Sequence, residues 1–173
     1  MASYYYLIAS LPDLSADAEM PLSYAEFLDL CQSNVSASTY ELLSNLTLAS
    51  DKGPLMKQWA RMYGMLTKEL NYQRSQRLGK NYSNSFEKDY LITQVADAAI
   101  KAKNPLEAEK ILLAYEFEIL DSLVGLHAFD DYELFGYAIK LKLLERQNCF
   151  EQEKGKKEFK SLFDQVQQRV YSL

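Results

Sequence analysis

The sequence predicts an all-α fold: a single helical domain over residues 1–173 with about seven helices. Three observations carry this. All four prolines, Pro12, Pro21, Pro54 and Pro105, stand at boundaries, and none interrupts a periodic segment. Serine, asparagine or aspartate recurs three residues ahead of glutamate, the spacing with which a side chain caps a helix start. Apolar residues then recur at three- and four-residue steps, and strand signals are scarce.

The opening Tyr4-Tyr5-Tyr6-Leu-Ile-Ala-Ser10 is the one ambiguous segment, because it has strand composition but no partner strand elsewhere. Ser23-Tyr-Ala-Glu26 is a capping-box spacing that predicts a short helix over 24–32. Ser38-Thr-Tyr-Glu41 repeats it, ahead of a second short helix ending near Leu48. Pro54 suits a first helical position and Gly79 a C-terminal cap, which predicts a long helix between them. Trp59, Tyr63, Leu66 and Leu70 share a sector of about 60° on its wheel, with Lys57, Arg61 and Lys68 opposite within about 40°. Arg77 projects onto the apolar side, so the helix is expected to fray there; the alternative is a carboxylate partner at the core edge.

Asn84-Ser-Phe-Glu87 offers a cap for a helix running to Lys103. Asn104-Pro105-Leu-Glu107 then starts another, with Ile111, Leu112, Tyr115, Ile119 and Leu123 as its apolar face and Gly125 as its end. Asp130 reads as the cap of the next helix, to about Gln147, which is apolar nearly all round and therefore central. Phe159, Leu162, Phe163, Val166 and Val170 give a last segment the spacing of a surface helix.

Charge and composition exclude several functions. A net charge of -5 argues against a general nucleic-acid binder, which needs basic groups to neutralise phosphates. The charge is unevenly spread, -6 over residues 1–50, +5 over 51–80 and -4 over the rest. The simplest account packs the acidic front near the basic middle; an external acidic partner is the functional alternative. No leader and no membrane-length apolar run is read, so a cytoplasmic protein without membrane insertion is expected. Cys31 and Cys149 lack metal or redox spacing and read as free thiols.

Catalytic, cofactor and metal sites are not expected. The six glycines are scattered, so no loop can cradle phosphates. His127 is the only histidine and has no supporting ligands at metal spacing, so it reads as a loop residue bonded to the preceding helix end. Glu116 and Glu118, two apart on a helix, point to different faces, which suits solvent. The candidate protein-binding residues are Tyr4, Tyr5 and Tyr6, whose rings suit interfaces, and the basic stripe Lys57, Arg61 and Lys68.

Residues 4–12 (YYYLIASLP), 21–30 (PLSYAEFLDL), 104–123 (NPLEAEKILLAYEFEILDSL), 129–146 (FDDYELFGYAIKLKLLER) and 153–159 (EKGKKEF) together resemble an uncharacterised bacterial family. That family is encoded among the subunits of V-type (archaeal-type) ATPases. It is in turn similar to a reduced form of their C subunit, an all-helical socket joining the rotating central shaft to the membrane rotor ring. The resemblance implies a non-catalytic subunit or accessory factor in an ion-transport machine, without cofactor. It would link soluble and membrane parts by contacts with shaft or ring, and would lie at the inner face of the membrane through the complex. A stand-alone helical adaptor or assembly chaperone for ATPase subunits is the alternative.

Overall fold

The structure is a computed structural model that describes residues 4–149, 160–164 and 167. Within 4–149 the chain forms seven helices: α1 (Tyr5–Ser10), α2 (Tyr24–Gln32), α3 (Ala37–Ser44), α4 (Met56–Arg77), α5 (Tyr90–Lys101), α6 (Pro105–Val124) and α7 (Asp131–Asn148). Residues 160–164 are also helical, and no strand occurs among the described residues. The all-α expectation therefore holds.

The ambiguous opening segment is helix, not strand. A helix satisfies its own backbone where no neighbouring strand exists, and α1 is held to the domain by the burial of Tyr4 and Leu7. The capping box of α2 forms as its spacing predicts. Ser23 Oγ accepts from Glu26 N at 3.3 Å, and Ser23 N donates to Glu26 Oε2 at 2.7 Å. Its bonds from Ser23 favour the charged carboxylate and hold Glu26 below its ordinary pKa. The cap of α3, by contrast, is Ser36 rather than Ser38. Ser36 has extended backbone and accepts from Thr39 N at 3.1 Å, which leaves Ser38 inside the first turn. The helix stops at Ser44, where Asn45 leaves helical geometry, so it is shorter than expected.

The start of α4 also differs from the sequence reading. Pro54 lies two residues before it, and Leu55 takes the left-handed conformation at φ 52°. Such a backbone is costly for leucine; here the side chain is buried in the core, which offsets the strain. Gly53 just before it is at φ 119°, and an added Cβ would stand 2.9 Å from the Phe135 ring. The far end runs as predicted to Gly79 at φ 65°. Arg77 neither frays nor meets a carboxylate: it donates to the Ile100 carbonyl at 2.7 Å, at the end of α5.

Asp89, not Asn84, caps α5, accepting from Leu91 N at 2.9 Å and Ile92 N at 3.1 Å. Residues 80–89 instead form a strap without helix or strand. The Asn104–Pro105–Glu107 start and Gly125 end of α6 are as expected, as is the Asp130 cap of α7.

Two apolar cores result. The larger gathers α1, α2, α3, the start of α4, the second half of α6 and α7; the smaller joins the rest of α4 to α5 and the first half of α6. Eight residues of α7 are buried, among them Leu134, Phe135, Ile139 and Leu143, so it is the central helix. Gly136 lets it approach α6, since a Cβ there would fall 2.5 Å from Val124 Cγ2. The two cores explain why α6 departs from its predicted single face. Ile111, Leu112 and Tyr115 serve the smaller core, whereas Leu113, Phe117 and Leu120 serve the larger. Phe159, Val166 and Val170 lie outside the described residues; Leu162 and Phe163 are helical and exposed.

Candidate protein-docking surfaces

The three tyrosines divide into one anchor and two exposed rings. Tyr4 is buried, its backbone N–H donating to the Phe129 carbonyl at 2.7 Å and its hydroxyl to Asp131 Oδ1 at 2.9 Å. Burial, then the Asp131 carboxylate, pushes its pKa up, although a hydrogen bond with Thr39 opposes this. These bonds set α1 against the α6–α7 loop, residues 125–130. Tyr5 packs its ring 4.7 Å from that of Phe129, yet stays 53% exposed, and Tyr6 is 86% exposed at its side.

The loop itself is tightly tied. Phe129 sits at φ 57°, an outlier for a bulky residue, and its N–H donates to the Glu133 carboxylate. The His127 ring stacks on Tyr132 at 4.1 Å, and its Nδ1 lies 2.5 Å from Asp130 Oδ2. Burial alone would raise the Asp130 pKa; the His127 contact and the N–H groups of Glu133 and Tyr132 outweigh it, so the net shift is downward. The expected bond of His127 to the preceding helix end is made by its backbone N–H, to the Val124 carbonyl at 3.1 Å, while the ring serves the helix that follows. Leu126 is left fully exposed at the loop tip. Tyr5 and Tyr6 on α1, and Leu126 on the loop to which Tyr4 bonds that helix, are thus the exposed large side chains of this region.

The basic stripe is a second surface. Lys57, Arg61 and Lys68 are all exposed on α4, opposite the buried Trp59, Leu66 and Leu70. Arg61 pairs with Glu87 of the strap. Among the described residues, no ion pair joins an acid of residues 1–50 to a base of 51–80, although α1, α2 and α3 share a core with the start of α4.

A buried charge cluster went unread in the sequence. Glu116, expected to face solvent, is 1% exposed and Glu109 5%. Arg146 bridges them, with Nε 2.6 Å from Glu109 Oε1 and two further nitrogens on the carboxylate of Glu116. Burial raises the pKa of Glu116, the guanidinium pulling against it and the Glu109 charge adding to it. In Arg146, burial is outweighed by the two carboxylates, which hold the guanidinium charged. The only signal in the sequence is the seven-residue spacing of the two glutamates, which places both on one helix face.

Among the described residues, no three His, Cys, Asp or Glu side chains are placed to hold a metal ion, and no helix is long and apolar enough to cross a membrane. The cavity beside α3, about 500 Å³, is open and lined by Ser38, Glu41, Asn45, Asp51 and Lys52. Cys31 and Cys149 are unbridged.

No curated protein and no solved structure matches this chain. Residues 75–170, more than half of it, match a family model described as a protein of unknown function, DUF2764. The match takes in the strap, α5, the α6–α7 loop and the Arg146 cluster; the three tyrosines and the basic stripe precede it. By the extent of that match, the chain belongs to the DUF2764 family.

Proposed function

We propose that the protein is a non-catalytic component or accessory factor of a bacterial V-type ATPase, similar to its C subunit, linking the soluble and membrane parts through protein–protein contacts. The observation that supports contact function is the exposure of Tyr5 and Tyr6 on α1 and of Leu126 on the hydrogen-bonded α6–α7 loop to which Tyr4 ties that helix. Exposed apolar side chains held on a preorganised support are the usual anchors of an interface, because little ordering entropy is lost on binding. The resemblance of the chain to the ATPase-encoded family supports the identity of the partner. In this reading the anchors enter an apolar pocket on another part of the ATPase, in the shaft or the rotor ring.

The test is retention of ATPase subunits by tagged protein purified gently from host membranes. Wild-type protein retains them; the double variant Tyr6→Ala, Leu126→Ser loses roughly tenfold or more in affinity, the effect of removing one or two anchors. Equal retention by a folded double variant would remove these residues as the contact surface.

A further inference from the structure

The solvent face of α4 is already partly occupied. Lys57, Arg61, Gly64, Lys68 and Tyr72 recur at four-, three-, four- and four-residue steps and so share one face. Three consecutive strap residues lie on it. The Phe86 ring meets Tyr72 edge-on at 6.0 Å, the Glu87 carboxylate takes two nitrogens of Arg61, and Lys88 Nζ stands 4.5 Å above the Tyr72 ring. The rest of the face is open. A Cβ on Gly64 would meet nothing within 4 Å, and Lys57 and Lys68 have no ion-pair partner among the described residues.

The strap is weakly attached. From 81 to 88 its backbone makes no hydrogen bond to another element among the described residues. Its ion pair is more than half exposed on both sides, a setting in which such pairs contribute little. A segment held by one half-buried ring, Phe86, and by exposed charged side chains opens at small cost.

We propose that this face of α4 docks an acidic segment of a partner protein, one carrying an aromatic side chain beside a carboxylate, and that Phe86 and Glu87 occupy its place in cis. The occupant's chemistry follows from what the face already holds: an aromatic edge on Tyr72 and a carboxylate on Arg61. Lys57 and Lys68 supply two further cations that the strap leaves unused, so a partner with more acids outcompetes it. The inference rests on the protein working through protein contacts, and not on which machine supplies the partner.

Fluorescence anisotropy with the full chain and two labelled synthetic peptides tests this: one acidic with Phe-Glu pairs, the other with Ala in place of each Phe. The Phe-Glu peptide is expected to bind more tightly, with affinity falling as salt rises. Glu87→Gln, which removes the cis competitor, should tighten binding about two- to five-fold, and Phe86→Ala should act in the same direction. Lys57→Glu with Lys68→Glu should weaken it about tenfold. Unchanged or weaker binding by Glu87→Gln overturns the cis mimic, and equal binding of the two peptides overturns the aromatic requirement. Self-association of Glu87→Gln without peptide binding makes a second copy the occupant and overturns the proposal. Tyr6 and Leu126 are untouched in all these variants, so each outcome is separate from the retention of ATPase subunits.

Discussion

The Tyr4 hydroxyl donates to Asp131 Oδ1 at 2.9 Å, joining the start of the chain to the start of its central helix. This bond and the backbone bond from Tyr4 to Phe129 tie α1, which carries the exposed Tyr5 and Tyr6, to the loop that carries Leu126. Removing the hydroxyl should loosen α1 while leaving the ring in the core. Tyr4→Phe is expected to cost about 0.5–1.5 kcal/mol. Amide exchange should accelerate more in α1 than in α7, since α1 opens locally. Uniform acceleration across both helices would show that the bond serves the whole domain instead.

Arg146 provides a second prediction with a definite pH dependence. Replacing it by methionine leaves Glu109 and Glu116 buried without their cation and should cost about 3–5 kcal/mol at neutral pH. Replacing all three by apolar residues of similar size should recover most of that loss. Glu116 already has a raised pKa from burial, and loss of the guanidinium raises it further. A carboxyl whose folded pKa stands above its unfolded value binds protons preferentially in the folded state. The deficit of the Arg146→Met variant should therefore shrink as pH falls from that raised value towards 4.5, the ordinary one. Urea unfolding at several pH values checks this; a deficit that grows on acidification would contradict it.

Two helical glycines should respond in opposite directions to alanine. At Gly64 the added methyl meets open space, so Gly64→Ala should stabilise by about 0.5–1 kcal/mol through helix propensity. At Gly136 it would fall 2.5 Å from Val124 Cγ2, at the contact of α6 and α7. Overpacking there should outweigh propensity, for a net loss of about 1–2 kcal/mol. Thermal melts of the two variants beside the parent read both signs.

The two thiols should differ in their access to reagent. Cys31 is fully buried, and burial pushes its pKa up to about 12, whereas Cys149 is exposed beyond α7. A thiol reagent should label one site per chain in the native protein and two after denaturation. Fast labelling of both in native buffer would mean that α2 opens readily.

The helix ends legible in the sequence were those with local signals. Ser23–Glu26, Asn104–Pro105, Gly125 and Asp130 act within one turn, so their chemistry is complete in a few residues. The misplacements arose where two local signals competed and packing decided between them. Ser36 takes the cap two residues before Ser38, and Asp89, accepting from Leu91 N and Ile92 N, takes the cap of α5 five residues after Asn84. The Arg146 cluster was invisible because its partners lie 30 and 37 residues away, and an isolated glutamate on a helix reads as solvent-facing. Of the candidate surface residues, Tyr5, Tyr6, Lys57, Arg61 and Lys68 are exposed as an interface requires, while Tyr4 is buried and anchors α1. The bonding of α1 to the α6–α7 loop, which carries Leu126, is encoded by no local pattern.

The measurement that bears most directly on the proposed function is native mass spectrometry of tagged protein purified gently from its own host membranes, wild type beside the Tyr6→Ala, Leu126→Ser variant. One copy in the intact ATPase is predicted for wild type, and an ATPase lacking the protein for the variant. Wild-type protein found alone, or with a single soluble partner and never in the intact complex, would contradict the proposed function.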